Sequence, residues 1–259
     1  MTRFATWNVN SLNARQARVE QWIGDVQPDI LCMQETKLAD EAFPALAFEL
    51  LGYESVHHGE GRWNGVAILS KAGLSDVVMG FADGADADAE ARVLSAKCGG
   101  ITVVNVYVPN GRSLDADHYQ YKLAWLARLG GHVDALTSPG DPVIIAGDFN
   151  IAPHDIDVYS PEVFVGATHT SQPERDALTR LIDRGYDDVV RTRNPTATSM
   201  FSWWDYRAGD FHEGRGMRID LVLATAPVAE RVEWCVIDRN ARKGKLPSDH
   251  APVIVDLRD

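Results

Sequence analysis

The sequence predicts an α/β protein in which helices lie outside a mixed, antiparallel-rich β-sheet. Short apolar runs rich in β-branched residues recur along the chain with turn residues between them, which is typical of strands. Segments with helical periodicity separate several of these runs. Consecutive strand-like runs between residues 65 and 108 interrupt the alternation of strand and helix, which argues against a purely parallel sheet.

The elements follow in order from these patterns. The predicted strands are Phe4–Val9, Asp29–Met33, Gly65–Leu69, Ile101–Val108, Val143–Ala146, Arg218–Ala224 and Pro252–Leu257. The predicted helices are Ala14–Gly24, Glu41–Leu50, Tyr119–Leu136 and Glu174–Arg184. No Gly-, Ser- or Pro-rich linker divides the chain, whose length allows one large core or two modest ones.

A weak internal repeat suggests how the strands are arranged. FATWNVN at Phe4–Asn10 is similar to VIIAGDFN at Val143–Asn150, and DILCMQET at Asp29–Thr36 is similar to IDLVLAT at Ile219–Thr225. If these are pseudo-repeats, two similar sheets pack face to face and their polar strand ends converge. Ligands bind at such edges in open α/β sheets.

Composition excludes several classes of protein. With 45% hydrophobic and 24% charged residues, the chain is neither disordered nor collagen-like. Cys32, Cys98 and Cys235 are too few and too scattered for a disulfide framework or a zinc site, which indicates a reduced, intracellular protein. We find no signal peptide and no apolar run near the roughly 18 residues of a membrane helix. We therefore expect a cytoplasmic protein with no membrane partner.

The net charge of −12, from 25 Lys and Arg against 37 Asp and Glu, argues at first against a nucleic-acid-binding protein. Phosphate contacts usually require a basic excess. Any such partner would have to be recognised by cations that cluster locally.

Polar residues at the ends of apolar runs predict one buried polar cluster, because burying them singly is costly. Each has an alternative role: Asn8 could cap a turn, Glu35 could pair with Lys37, Asp220 could pair with Arg218, and His250 could be a core histidine. The candidates are Asn8, Glu35, Asp148, Asn150, Asp220, Asp249 and His250.

The tetrapeptide GDFN at residues 147–150 favours chemistry over structure. In extended chain Asp148 and Asn150 point to the same side while Phe149 points into the core. Gly147 allows close backbone approach or an unusual dihedral angle. A carboxylate beside an amide can hold a water molecule, as hydrolysis requires.

The tripeptide Ser248-Asp249-His250 cannot be a serine-hydrolase triad, since triad members converge from separate segments, and the chain has no GxSxG motif. A histidine paired with a distant carboxylate stays protonated near neutral pH and can donate to a phosphate oxygen. Asp220 is the best partner.

Together these motifs resemble the exonuclease III family of abasic-site endonucleases, within the endonuclease/exonuclease/phosphatase superfamily. The resemblance covers about residues 3–257, in order. It is carried by WNVN around Asn8, QETK at 34–37, GVAILSK at 65–71, NVYVPNG at 105–111, GDFN, FSWWDYR at 201–207, RIDLVLA at 218–224 and SDHAPV at 248–253.

The resemblance implies a DNase I-like four-layer α/β sandwich, two packed mixed β-sheets flanked by helices, and a single domain over residues 1–259. It implies Glu35 as the principal ligand of Mg²⁺, with Mn²⁺ as a possible substitute. Asn8 and Asp249 lie beside the metal, and Asp148 and Asn150 can also contact it. Whether one or two ions act is open, and Asn10 stands where some relatives carry an acid.

The family's catalytic roles transfer to matching positions. Asp148 resembles the general base or water-orienting group, and Asn150 resembles the amide that positions the nucleophile. His250, held by Asp220, would donate to a non-bridging phosphate oxygen. Tyr107 and Asn110 match the residues at the phosphate.

The same resemblance implies the substrate contacts. Trp203 and Met217 would form the walls of a pocket for a flipped-out, base-free sugar. Arg92 and Arg112 occupy loops that approach the DNA strand. Phe201 and Trp204 are expected to form a small core under this loop and not to contact the substrate. The basic run Arg239–Lys245 is expected at the DNA backbone.

The implied activity is Mg²⁺-dependent hydrolysis of the phosphodiester 5′ to abasic sites in double-stranded DNA, with 3′–5′ exonuclease and 3′-end-cleaning activity, by a monomer. The alternatives are a small-molecule phosphatase or phospholipid phosphodiesterase of the same superfamily, or a silent DNA- or protein-binding module. The acidic stretch Asp83–Glu90 is predicted to be a solvated loop facing away from DNA.

Overall fold

Two six-stranded β-sheets pack face to face, with helices against their outer faces, in the computed structural model, which describes residues 1–259. The strands are β1 (Thr2–Asn8), β2 (Ile30–Gln34), β3 (Glu54–His58), β4 (Val66–Ser70), β5 (Ser75–Met79), β6 (Val93–Cys98), β7 (Ile101–Tyr107), β8 (Val143–Asp148), β9 (Tyr186–Asp188), β10 (Asp220–Thr225), β11 (Val232–Ile237) and β12 (Val253–Leu257). The helices are α1 (Leu12–Val26), α2 (Ala45–Leu50), α3 (Asp117–Leu136), α4 (Gln172–Ile182), α5 (Val189–Arg193), α6 (Asp210–Glu213) and α7 (Ala226–Ala229). This four-layer sandwich confirms the predicted fold class.

The two sheets have matching strand orders. The first runs β11-β12-β1-β2-β4-β3 and the second runs β5-β6-β7-β8-β10-β9. Each contains one parallel pair, β1–β2 and β7–β8, and its other pairs are antiparallel. Helix α1 connects the first parallel pair and α3 connects the second. Parallel strands end at the same edge of a sheet, so each sheet brings two strand ends together.

This symmetry corrects the predicted repeat by one strand. By position in the sheets, β1 corresponds to β7 and β2 corresponds to β8. The sequence similarity instead matched β1 with β8 and β2 with β10. Apolar strands that end in amides or acids resemble one another regardless of their place in a sheet. The predicted outcome, polar ends from two sheets converging, is nevertheless observed.

The core between the sheets is apolar. Phe4, Ile30 and Ile68 of the first sheet share one buried cluster with Val103 and Ile144 of the second. Full burial of such a side chain contributes about 1.5–3 kcal/mol. These inner-face residues hold the two sheets, and thus their strand ends, in a fixed relation.

One buried polar contact crosses this apolar core. The Gln34 side chain donates to Asn105 Oδ1 (2.7 Å) and to Thr6 Oγ1 (2.9 Å), while Asn105 Nδ2 donates to the carbonyls of Met33 (2.9 Å) and Ala67 (2.8 Å). Gln34 is the last residue of β2, so the contact joins the sheets immediately below the strand ends.

Helix α3 covers the outer face of the second sheet. Trp125, Leu129 and Val133, spaced by four residues, are buried there with Leu126. Lys122 lies on the same buried face and is fully inaccessible to solvent.

The sequence missed the strands β3, β5, β6, β9 and β11. Strand β5 is largely exposed at a sheet edge and β9 has only three residues, so neither has a clear apolar pattern. The predicted helix Glu41–Leu50 is shorter, because Pro44 precedes a helix that begins at Ala45. No helix combines the length and apolarity needed to cross a membrane.

Candidate active site

The predicted polar residues meet where the strand ends of both sheets converge. Asn8 ends β1 and Asp148 ends β8. Asp220 begins β10 directly opposite Asp148, since the two are partners in the antiparallel pairing. Glu35 follows β2, and His250 precedes β12. Residues far apart in the chain therefore share one edge of the sandwich.

Asn8 connects the carboxylates of the two sheets. Its amide Nδ2 donates to Glu35 Oε1 (2.8 Å) and to Asp148 Oδ2 (2.9 Å). Asn8 and Asp148 are almost fully buried, whereas Glu35 is partly open to solvent. Asn8 also caps the following turn, as the alternative had it, because its Oδ1 accepts the N–H of Asn10 (3.0 Å).

The histidine is held in the charged form. His250 Nδ1 donates to Asp220 Oδ2 (2.8 Å), and Nε2 lies 3.7 Å from Asp148 Oδ2. Burial opposes the imidazolium, but the carboxylates of Asp220 and Asp148 outweigh it and raise the pKa of His250 to about 10. His250 is thus a proton donor at neutral pH, and its ring nitrogens are not free to bind metal.

Burial raises the pKa of Asp148 to about 7, and the neighbouring carboxylates of Asp220 and Glu35 add to this rise against the attraction of His250. A carboxylate with such a pKa is a far better proton acceptor than an exposed aspartate. Gly147 makes this packing possible: its φ is +146°, and an added Cβ would lie 1.9 Å from the carbonyl oxygen of Val106.

Asn150 is oriented by its backbone and by its neighbours in the site. Its φ of +50° ends the strand direction, and its N–H donates to Asp148 Oδ1 (2.9 Å) while Phe149 is buried in the core. Its Nδ2 donates to the carbonyl of Val108 (2.9 Å). Asn110 Nδ2 donates to Asn150 Oδ1 (3.2 Å), so these two predicted residues meet.

His169 is a site residue that the sequence did not indicate. Its Nε2 lies 3.2 Å from Asn150 Oδ1 and 3.1 Å from Asn110 Nδ2. Burial lowers the pKa of His169 to about 4, with Lys122 contributing, so the ring is neutral at pH 7. It lies in a loop with no apolar pattern and belongs to no recognisable motif, so nothing in the sequence marked it as a site residue.

The oxygen donors fit a divalent cation. The carboxylate oxygens of Glu35 and Asp148 come within 4.8 Å of each other, and the His250 imidazolium stands beside them. Carboxylate and amide oxygens suit hard ions such as Mg²⁺ or Mn²⁺. Lys37 Nζ lies 2.8 Å from Glu35 Oε2 and donates to Asn10 Oδ1 (2.6 Å), so the alternative pairing of Glu35 is also present.

Asp249 and Trp203 are linked at the other side of the cluster. Trp203 Nε1 donates to Asp249 Oδ2 (3.1 Å), and Asn10 Nδ2 donates to Asp249 Oδ1 (2.9 Å). Trp203 and Met217 are antiparallel bridge partners, and Trp203 also forms a bridge with His250. The two predicted wall residues are therefore neighbours and do not face each other across a pocket: Met217 is buried in a small cluster, and the partly buried Trp203 packs against that cluster. Phe201 and Trp204 are buried in a small separate core, as predicted.

Tyr107 lies beside Glu35 and Arg92. Burial raises the pKa of Tyr107 well above its usual value, and the Glu35 carboxylate adds to the effect. The guanidinium carbon of Arg92 lies 4.4 Å from the Tyr107 ring centroid. Asn110, Arg92 and the exposed Arg112 line a groove that also includes Glu35.

Asp83–Glu90 is the largely exposed loop that was predicted, but two of its acids form ion pairs and its last residue reaches the groove beside Glu35. Asp83 pairs with Arg128 (2.7 Å), and Glu90 pairs with Arg92 (2.5 Å) in the groove beside Glu35.

The basic residues are also less available than expected. Arg239 and Arg242 lie over the aromatic rings of Trp204 and Phe211. Arg242 is buried there, whereas Arg239 stays exposed together with Lys243 and Lys245. Arg218 pairs with Asp157 (2.6 Å) and Asp188 (2.7 Å) rather than with Asp220.

Comparison with known proteins defines the class. Residues 5–250 match the model described as the endonuclease/exonuclease/phosphatase family. This is a family of metal-dependent phosphoesterases, in keeping with acids, amides and an imidazolium at one edge of two packed sheets.

Individual relatives narrow the class. The chain is 36% identical to exodeoxyribonuclease III of Haemophilus influenzae, across 99% of this chain and all of that one. The structure matches an AP endonuclease from Archaeoglobus fulgidus (TM-score 0.96, 38% identity) and the 3′ phosphatase NExo from Neisseria bound to product DNA hairpin (TM-score 0.96, 38% identity), each over 100% of both chains. The chain belongs to the endonuclease/exonuclease/phosphatase family, on its exodeoxyribonuclease III branch.

Proposed function

We propose that this protein is a Mg²⁺-dependent DNA-repair nuclease. It hydrolyses the phosphodiester 5′ to abasic sites in double-stranded DNA and also acts on 3′ ends, as an exonuclease and an end-cleaning phosphatase. The observation that carries this proposal is the pairing of Asp148 with a protonated His250 beside the oxygen donors of Glu35 and Asn8. The names of the similar exonuclease, AP endonuclease and 3′ phosphatase support the choice of DNA.

Glu35 would be the principal metal ligand, with Asn8 and Asp249 beside it and Asp148 and Asn150 within reach. The ion, Mg²⁺ or Mn²⁺, would offset negative charge on the phosphate and on the leaving 3′ oxygen. Whether one or two ions bind is left open. Carboxylate oxygens in excess over local cations make the site attractive to such an ion.

The protein groups would perform the proton chemistry. Asp148 accepts a proton from the attacking water, whose position is fixed by the Asn150 amide, as the water oxygen bonds to phosphorus. The bond from phosphorus to the 3′ oxygen breaks in the same displacement. His250, oriented by Asp220, donates a hydrogen bond to a non-bridging oxygen, where charge develops. Tyr107 and Asn110 contact the same phosphate.

Substrate choice would depend on the adjoining walls and groove. Trp203, packed against the buried cluster that holds Met217, would offer an apolar surface to a base-free sugar, whose extrusion costs least because no base is unstacked. Arg92 and Arg112 would contact the DNA backbone along the groove. We further propose that the protein is a single-domain monomer in the cytoplasm. Its three unpaired cysteines support the cytoplasmic location, because a reducing compartment keeps thiols free.

A synthetic duplex with one tetrahydrofuran residue tests the proposal. With Mg²⁺ we expect incision 5′ to the analogue, and removal of phosphate from a nicked duplex with a 3′-phosphate. EDTA should abolish both reactions. Hydrolysis of a sugar phosphate or a phosphoinositide with both DNA substrates untouched would refute the nuclease and favour a small-molecule phosphatase.

A further inference from the structure

A lysine is buried without solvent contact beneath the active site. Lys122, on the inner face of α3, and Glu174, on α4, both have fully buried side chains, and Lys122 Nζ donates to Glu174 Oε1 (2.5 Å). Desolvating two charges consumes most of the attraction between them, so such a pair stabilises a fold little more than apolar side chains of similar size. Stability alone therefore does not account for an ammonium at this position.

The remaining donors of this ammonium reach the two asparagine segments of the site. Lys122 Nζ donates to the main-chain carbonyl of Asn150 (2.6 Å) and to that of Asn110 (3.2 Å). An ammonium has three N–H donors, and all three are used. The carbonyls belong to separate loops, one after β8 and one after β7.

Glu174 anchors a third loop, at Thr168 and His169, to the Lys122–Glu174 pair. Its carboxylate accepts the backbone N–H of His169 (3.0 Å) and the hydroxyl of Thr168 (2.7 Å). The side chains of all three loops then meet at Asn150 Oδ1, which lies 3.2 Å from Asn110 Nδ2 and 3.2 Å from His169 Nε2. Asn150 has a φ of +50°, a left-handed conformation that asparagine tolerates better than most residues, and these contacts hold its side chain in place.

We propose that Lys122 is a positioning residue for phosphodiester hydrolysis: paired with Glu174, its ammonium sets the relative placement of the Asn110, Asn150 and His169 loops. This inference rests on the proposed nuclease function. Lys122 contacts no substrate, so its loss should reduce the rate of the chemical step and leave DNA binding intact. Displacing a positioning group by about 1 Å costs up to about 100-fold in rate.

The double variant K122M/E174Q provides the test. It removes both charges together, so no unpaired charge stays buried, and the amide oxygen introduced by E174Q can still accept from the His169 N–H. We expect kcat on the tetrahydrofuran duplex to fall about 10- to 100-fold, with KM within about twofold of wild type and a melting temperature close to wild type. A kcat within about twofold of wild type in the folded double variant would overturn the proposal.

Two further variants separate positioning from stability. E174Q alone keeps the ammonium and its two carbonyl contacts, so it should retain more activity than K122M/E174Q; equal losses would assign the effect to the carboxylate and overturn the proposal for Lys122.

V133A, on the same face of α3, should lower the melting temperature and leave kcat unchanged. If K122M/E174Q does not fold, K122Q/E174Q replaces it in the same comparison. Inactive wild-type protein would refute the nuclease itself, independently of these variants.

Discussion

Two clusters of buried charged residues, the arginine cluster around Asp157 and the active site, differ in how their charges are balanced. In the arginine cluster, Arg218 and Arg191 surround Asp157, with N–O distances of 2.6 and 2.5 Å, and Arg218 also meets Asp188. Two cations face two acids. In the active site the three carboxylates of Glu35, Asp148 and Asp220 outnumber the cations, which are the His250 imidazolium and, at the edge, the Lys37 ammonium beside Glu35.

The pKa values follow this difference in balance. Burial alone would raise the pKa of Asp157, but Arg218 and Arg191 outweigh it and lower that pKa below its ordinary value. Asp148 is equally inaccessible, yet burial and its acidic neighbours raise its pKa to about 7. A balanced cluster satisfies its own charges. An unbalanced one keeps proton affinity and free lone pairs for a cation and a water molecule.

The largest expected effect comes from breaking the balanced cluster. Asp157→Asn leaves Arg218 and Arg191 buried without their shared carboxylate, which should cost about 3–5 kcal/mol of unfolding free energy. Urea denaturation measures this loss, with Asp176→Asn on the exposed face of α4 as the control. A loss below about 1 kcal/mol would show that the arginines find other partners.

The unbalanced cluster should respond in activity instead of stability. Asp148→Asn and His250→Ala should each lower kcat by at least about 10²-fold, the usual size of acid–base and charge-stabilising effects. Removing a carboxylate whose pKa is raised should leave the metal-free Asp148→Asn protein as stable as wild type, or more stable, at pH 8. Near-full activity of either variant would remove that residue from the mechanism.

The buried histidine His132, which lies outside both clusters, should have an effect on stability of intermediate size. Burial lowers the pKa of His132 to about 4, and Nδ1 accepts the N–H of Ala82 (2.9 Å) while Nε2 lies 2.8 Å from Ser95 Oγ. The unfolded chain takes up this proton below about pH 6.5, but the folded protein does so only near pH 4. Stability from this group is therefore complete above pH 6.5 and lost as pH falls towards 4, by about 2 kcal/mol at pH 5. His132→Gln should show a shallower loss between pH 7 and pH 5; identical curves would contradict the assignment.

The smallest expected effect is stabilisation by the metal. Mg²⁺ at about ten times its dissociation constant should raise the free energy of unfolding by about 1.4 kcal/mol, since it binds only the assembled site. The increase in melting temperature should disappear in Glu35→Gln. An equal increase in Glu35→Gln would place the ion elsewhere.

Sequence reasoning located the strand-end residues because acids and amides after apolar runs are visible in one dimension. It identified the fold class and brought Asn8, Asp148 and Asp220 to one edge. It could not identify Lys122 or Glu174, since a charged residue on a helix resembles a solvated one until its face is known. Arg218 was assigned to Asp220 because the two are near in sequence, whereas its partners Asp157 and Asp188 come from distant segments.

His169 illustrates a second limit. It lies in a loop, and the contact with Asn150 depends on backbone conformation at both residues, which have φ values of +76° and +50°. The short edge strands β5 and β9 were missed because pairing, and not local pattern, defines them.

The position of β12 has a consequence for how the site comes into being during synthesis. This strand lies between β11 and β1 and follows both along the chain, and Asp249 and His250 stand just before it. Asn8 on β1 meets these two residues only after β12 has paired with β1. A growing chain therefore has no imidazolium at the site until His250 has been made, and the site is complete only when β12 pairs with β1.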